Sequence, residues 1–366
     1  MMKTRTALSR MARRCSLLLA GCLLLASCTD WIYEDRTGCE HGVYLSFRYD
    51  YNLQRADMFA DHVGEVTVYV FDETGRYVTR QRESNTASSA PLKGKDYQMY
   101  IDLPAGSYRF IALAGQQSES PDARPRFRRN EPDTGDGMES LSVELEHSQP
   151  GEGGFCEVVH NGQPLDTLWH GMSGKPLDVP ADRYVYDTLS LVRDTKYVSV
   201  SLREAGGGPE MDVADYDFRI MDSNLLLRHD NSVDHSLAAL YTPFATWNTS
   251  DSSPEGTPDG QKEASLGHTT AHADFMTSRL MWQDEGADNA RLVVTHRDTQ
   301  REVINVDLAD LLTQLRTSVE LQLYGRQEFL DRAYDYSLTF YLVNGKLSSV
   351  TIGVLGWSKR IQYEDL

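Results

Sequence analysis

Cysteine is scarce in this chain of 366 residues: there are five, and Cys15, Cys22 and Cys28 fall within the first 28 positions. The remaining Cys39 and Cys156 are too few for a disulfide-stapled framework, and with no CxxC and no Cys/His cluster no metal site is expected. Long apolar runs are missing too. Leu17 to Ala26 spans about ten residues, half of the roughly 20 that a membrane-crossing helix needs. Positive charge is outnumbered, with 36 Lys and Arg against 54 Asp and Glu, for a net charge of −18. Phosphate repels such a chain, which excludes nucleic acid as a partner. There is no Gly-x-Ser-x-Gly elbow, no phosphate-cradling glycine loop and no calcium loop, so neither catalytic residues nor a cofactor are expected.

What is present begins at the N-terminus. Lys3, Arg5, Arg10, Arg13 and Arg14 precede the apolar stretch, and Ser27 and Cys28 follow it, in the basic, apolar, small-residue order of a secretory signal. Leu25-Ala26-Ser27-Cys28 resembles the lipobox of bacterial lipoproteins. The expectation is a signal over residues 1–27 that is removed, leaving Cys28 acylated and anchored in a bilayer. Each buried CH₂ contributes about 0.8 kcal/mol, so two or three acyl chains hold where one does not. Removing the five basic residues of the leader takes the net charge from −18 to −23. Cys39 and Cys156 then remain as a pair that forms a disulfide only if the fold brings them together.

The rest of the chain alternates at the period of β-strands. Val66, Val68 and Val70 share a face, Asp72 to Gly75 supply turn chemistry, and Tyr77 and Val78 resume the pattern. Tyr97 to Leu103, a Pro104-Ala-Gly106 turn and Tyr108 to Leu113 repeat the form, which predicts a second strand pair. Gly206 to Gly208 reads as a further turn, and Asn344-Gly345 as a tight hairpin. One helix is expected, where Leu308, Leu311, Leu312 and Leu315 follow Asp307 as N-cap. Asn248 to Ser265 reads as a polar loop. The fold class is all-β: two tandem β-sandwiches over residues 28–180 and 181–366, with the helix in the second.

Individual constellations are weaker. His268 and His272 lie four apart, the spacing of paired metal ligands on a helix, but Thr269-Thr270 between them favours extended backbone. Trp169 and Trp247 can serve as glycan platforms if exposed, and Trp169 equally suits a sandwich core. Acidic pairs of the kind glycosidases use arise by chance in a chain this acidic.

Several stretches together resemble the fimbrial anchor lipoproteins of Bacteroides-type bacteria. They are the lipobox ending at Cys28; Cys39 followed by VYLSFRYDYNLQRADMF with Phe47, Tyr49, Asn52, Asp57 and Phe59; VTVYVFDETGRYV; LPAGSYRFIALAG; LVRDTKYVSVSL; ADFMTSRLMW; and QEFLDRAYDYSLTFYL with the closing Trp357. The resemblance implies transthyretin-like sandwiches and a place at the base of a fimbria on the outer membrane. It also implies shaft or accessory subunits as partners. Capture of a neighbour's strand by an open sheet edge is the contact that such sandwiches offer. A glycan-binding surface lipoprotein is the alternative.

Overall fold

A computed structural model describes residues 41–116, 127–205, 210–250, 269–284, 289–317, 322–355 and 357–362. In the first half the strands are β1 (Gly42–Arg48), β2 (Glu65–Asp72), β3 (Tyr77–Ser84), β4 (Met99–Ile101), β5 (Gly106–Gly115) and β6 (Phe127–Asn130). They continue as β7 (Ser142–Leu145), β8 (Phe155–Glu157), β9 (Leu168–Met172), β10 (Leu177–Val179), β11 (Tyr184–Ser190) and β12 (Val192–Arg193). The second half holds β13 (Lys196–Glu204), β14 (Tyr216–Asp222), β15 (Leu226–Arg228), β16 (Val233–Asp234), β17 (Ala238–Tyr241) and β18 (Ala245–Ser250). It ends with β19 (Thr269–Thr277), β20 (Arg291–His296), β21 (Arg301–Asp307), β22 (Asp335–Val343), β23 (Lys346–Val354) and β24 (Trp357–Gln362). Among the described residues three short α-helices interrupt them: α1 (Phe59–His62), α2 (Leu308–Thr313) and α3 (Arg326–Arg332).

The molecule is a mostly-β, sandwich-like protein. In the first half a three-stranded sheet, β11-β1-β4, faces the sheet β12-β9-β5-β2-β3, on which β10 also pairs with β5. Val43, Leu45 and Phe47 of β1 meet Val66, Val68 and Val70 of β2 and Phe110 of β5 in one apolar core. Burial of these side chains, at about 1.5–3 kcal/mol each, fixes which way the strands face. The second half stacks β18-β19-β13-β22-β23-β24 on β21-β20-β14-β17-β8 around Val198, Val200, Phe218, Phe275, Phe340 and Ile352.

Three expectations change in the structure. The strands read as a second hairpin separate: β4 pairs with β1 and β5 with β2, so Pro104 to Gly106 joins the two layers of the sandwich. The valine face of β2 is matched by a buried opposite face, because the sheet β16-β15-β7-β6 covers Tyr69, Phe71, Ile111 and Leu113 with Val143 and Leu227. Helix α2 lies behind its Asp307 cap, whose carboxylate accepts from Asp310 N–H at 2.7 Å, and α1 and α3 are additional.

Pairing also does not follow chain order about residue 180. β11 and β12 complete first-half sheets, reaching Arg193, while β7 pairs with β15 and β8 with β17 in the second half. The chain changes partner at Asp194, Thr195 and Lys196, all fully buried.

Candidate functional site: the junction and the sheet edges

The loop after β1 is built by its own side chains. Asn52 is fully buried and donates through Nδ2 to Tyr49 O at 2.7 Å and Ala56 O at 2.8 Å. Asp57 accepts from the N–H groups of Tyr49 and Phe59 at 3.0 and 3.1 Å. The loop so held carries its tip onto the second half. Arg55 Nε donates to the Tyr324 hydroxyl at 2.7 Å and Gln54 Nε2 to the Tyr334 hydroxyl at 3.3 Å. From the other side, the Arg332 guanidinium lies 3.9 Å from the Tyr51 ring centroid and 4.9 Å from that of Tyr324. Arg193 bridges Trp169 and Tyr334 at 5.6 and 4.3 Å. Cation–ring contacts contribute about 0.5–2 kcal/mol each, most where water is excluded.

Beneath this layer lies a set of buried charges. Lys196 Nζ donates to the carbonyls of Arg193, Asp331 and Ala333 at 3.0, 3.0 and 2.9 Å. Arg279 holds Asp331 in a two-point clamp at 2.9 Å per bond and donates to Asn231 O. Asn231 Nδ2 donates to Asp194 Oδ1 at 2.8 Å. Burial pushes Asp194 up, against the pull of Arg279, and Lys196 down, against Asp331 and Asp194. His170 Nε2 donates to His229 O at 2.8 Å, and burial holds this histidine down at about 4. Asp194 and Lys196 are fully buried and the Arg279–Asp331 pair nearly so, and their hydrogen bonds join one half of the molecule to the other.

The sheet edges are where a second chain has access. Of the longer edge strands, β3 carries Arg80, Arg82 and Glu83, β21 carries Arg301 and Glu302, and β24 carries Lys359 and Arg360. Charges of this kind deter edge pairing. β11 has a single Asp187. β18, with sequence ATWNTS, has no charge, and its residues from Thr246 to Ser250 are exposed. No described strand lies beyond it.

The sequence-predicted site residues are scattered. Cys28, Cys39, His268 and Gly206 to Gly208 lie outside the described residues. Cys156 is buried in β8 within the second core. His272 sits in strand β19, not on a helix; its Nδ1 is 2.9 Å from Ser201 Oγ and its Nε2 2.7 Å from Thr249 Oγ1. Trp169 is 1% exposed, which removes it as a glycan platform, whereas Trp247 is 39% exposed and stacks on His272 at 5.0 Å. The polar loop starts later than expected, because β18 runs to Ser250 and Asn248 joins Val213 N–H to Asp212; residues 251–265 lie outside the described set. Sequence reasoning missed the Lys196, Arg279 and Asp331 cluster. The only signal was Arg193, Asp194 and Lys196 massed ahead of a strand.

A family described as fimbrillin-A associated anchor proteins Mfa1 and Mfa2 matches residues 36–363. The chain is 24% identical over 305 residues to the minor fimbrium anchoring subunit Mfa2 of Porphyromonas gingivalis, covering 81% of this chain and 80% of that protein. A Bacteroides thetaiotaomicron structure described as an adhesin superposes with TM-score 0.71 at 29% identity, over 89% of this chain and 99% of that one. The P. gingivalis Mfa2 structure superposes with TM-score 0.58 at 18% identity, over 87% and 98%, which is a likeness of fold.

Proposed function

The chain belongs to the family of fimbrillin-A associated anchor proteins, and we propose that it is the lipid-anchored base subunit of a fimbria. In this reading acylated Cys28 holds it in the outer membrane and an open sheet edge takes up a strand from a shaft or accessory subunit.

The observation that carries the capture step is β18, an exposed edge strand without charge, where the other longer edge strands among the described residues each carry at least one charge, β11 only Asp187. Strand addition draws affinity from main-chain hydrogen bonds and register from alternate side chains. The anchor step draws support from β1, the first described strand after the proposed lipid site. β1 is the middle strand of its sheet, in parallel register with β11 over seven positions and antiparallel with β4 over three. A pull along β1 loads those ladders together in shear, and the junction passes the load to the second half.

Two experiments test the reading. Mass spectrometry of the mature protein is expected to find diacylglyceryl Cys28 at the N-terminus, and Cys28→Ser is expected to release the protein from the membrane fraction. Pull-down from solubilised envelopes is expected to recover fimbrial subunits, and to lose them when the shaft subunit's terminal strand is deleted. Undiminished recovery after that deletion refutes strand capture.

A further inference from the structure

The outer face of the three-stranded sheet carries an aromatic cluster that neither the core nor the junction uses. Val43, Leu45, Met99, Ile101 and Leu189 point inward from β1, β4 and β11, so the alternation turns Tyr44, Tyr100, Tyr184 and Tyr186 outward. Register sets Tyr44 between Tyr100 on one neighbour and Tyr186 on the other. Tyr44 and Tyr186 stack at 5.4 Å with planes 14° apart, and Tyr100 and Tyr184 each lie 5.1 Å from Tyr44. Tyr186 is 65% exposed and Tyr100 39%. Further along, the same face becomes hydrogen-bonding: Ser46 sits opposite Thr188, and Gln98 Nε2 donates to Ser46 Oγ at 3.3 Å.

We propose that this face binds a neutral pyranose polysaccharide of the cell's own surface. A sugar ring has an apolar C–H face and a rim of hydroxyls. Stacked on Tyr186 it continues the ring stack, and the neighbouring row of hydroxyl and amide groups meets its rim. Exposed aromatic patches of this kind on a soluble face mark interaction sites. The charge decides among occupants. Asp102 lies on this face and Asp182 on its flank, but Arg48 is on the same face and Arg183 stands 3.9 Å from Asp182, so the patch itself is close to neutral, while the whole chain carries −18 and repels a polyanion or an anionic headgroup layer. The source follows from the tether. From Cys28 to His41 the chain spans at most about 45 Å at about 3.3–3.6 Å per residue, and Tyr44 follows directly, which keeps the face within the surface-glycan layer. This choice of source rests on the anchor reading.

The test titrates the full acylated chain in detergent micelles with two probes: polysaccharide released by mild acid from the producing cell's lipopolysaccharide, and polygalacturonate as an acidic counterpart. Saturable binding of the first and none of the second is expected. Tyr186→Ala and, independently, Gln98→Ala should weaken it by about tenfold with an unchanged melting temperature, while Trp247→Ala leaves it intact. Recovery of fimbrial subunits by Tyr186→Ala should equal that of the wild type. The proposal is overturned by no binding of the neutral polysaccharide, by equal or tighter binding of polygalacturonate, by Tyr186→Ala binding as the wild type does, or by that variant losing the fimbrial partner while keeping the polysaccharide.

Discussion

Replacing Lys196 by methionine tests whether the buried charges hold the molecule together. Methionine matches the length of the lysine stem and keeps its apolar contacts, so the substitution isolates the ammonium group. That group makes three hydrogen bonds, to the carbonyls of Arg193, Asp331 and Ala333. Hydrogen bonds involving a charged group contribute about 1.5–3 kcal/mol each, but desolvation of the ammonium offsets much of the sum. Losing one partner of a buried charge set costs about 3–5 kcal/mol, because the other members stay buried without it. We therefore expect Lys196→Met to lose about 3–5 kcal/mol in urea denaturation followed by tryptophan fluorescence. Trp169 reports directly, since it lies against Arg193. Adding Asp194→Asn removes the carboxylate stranded by the first change and should restore part of the loss. A Lys196→Met protein within about 1 kcal/mol of the wild type would show that the carbonyl cage is satisfied some other way, and would refute the reasoning.

Three further changes probe other parts of the argument. Asp222 has a buried Oδ2 without a partner, and burial pushes this carboxyl up to about 7 from 3.8. The folded state then binds the proton more tightly than the unfolded one, so stability falls as pH rises from about 4 to 7. Asp222→Asn should be more stable than the wild type at pH 8 by about 2–4 kcal/mol and indistinguishable at pH 4, as read by urea midpoints. Asn52→Ala leaves the Tyr49 and Ala56 carbonyls without their donor, for a loss of about 1–3 kcal/mol and earlier proteolytic cutting near Arg55, visible by limited trypsinolysis. Asp307→Ala removes the cap of α2 and should cost about 1 kcal/mol in the same urea assay.

How much of this was legible in the sequence depended on the range of the interaction. The Asn344-Gly345 hairpin is local chemistry, and both residues take positive φ, 52° and 70°, between β22 and β23. The leucine helix behind Asp307 is local as well. Period two identified strands but not their partners, which is why β4 and β5 read as a hairpin although each pairs with a strand elsewhere. Helix α3 has seven residues and Gly325 at its N-cap with no side-chain bond, too little for a period or a cap to announce it. The Lys196 cage was illegible for another reason: its acceptors are carbonyls 135 and 137 residues away, and a carbonyl has no letter in the sequence.

The same limit explains which residues carry the family likeness. The motif around Asn52 and Asp57 forms the loop that grips Tyr324 and Tyr334, LVRDTK supplies Arg193, Asp194 and Lys196, ADFMTSRLMW supplies Arg279, and QEFLDRAYDY supplies Asp331 and Arg332. All of them converge on the junction. A buried charge cannot be exchanged without its partners, so side-chain identity there is tightly constrained. An edge strand that offers backbone hydrogen bonds imposes no such constraint: ATWNTS in β18 needs to be exposed, extended and uncharged, and many sequences satisfy that. Four of the seven stretches that resemble anchor proteins are therefore in the part that joins the two halves, while VTVYVFDETGRYV and LPAGSYRFIALAG build the core of the first. The exposed edges and faces are bound by no such set of buried partners, and their sequence is free to differ.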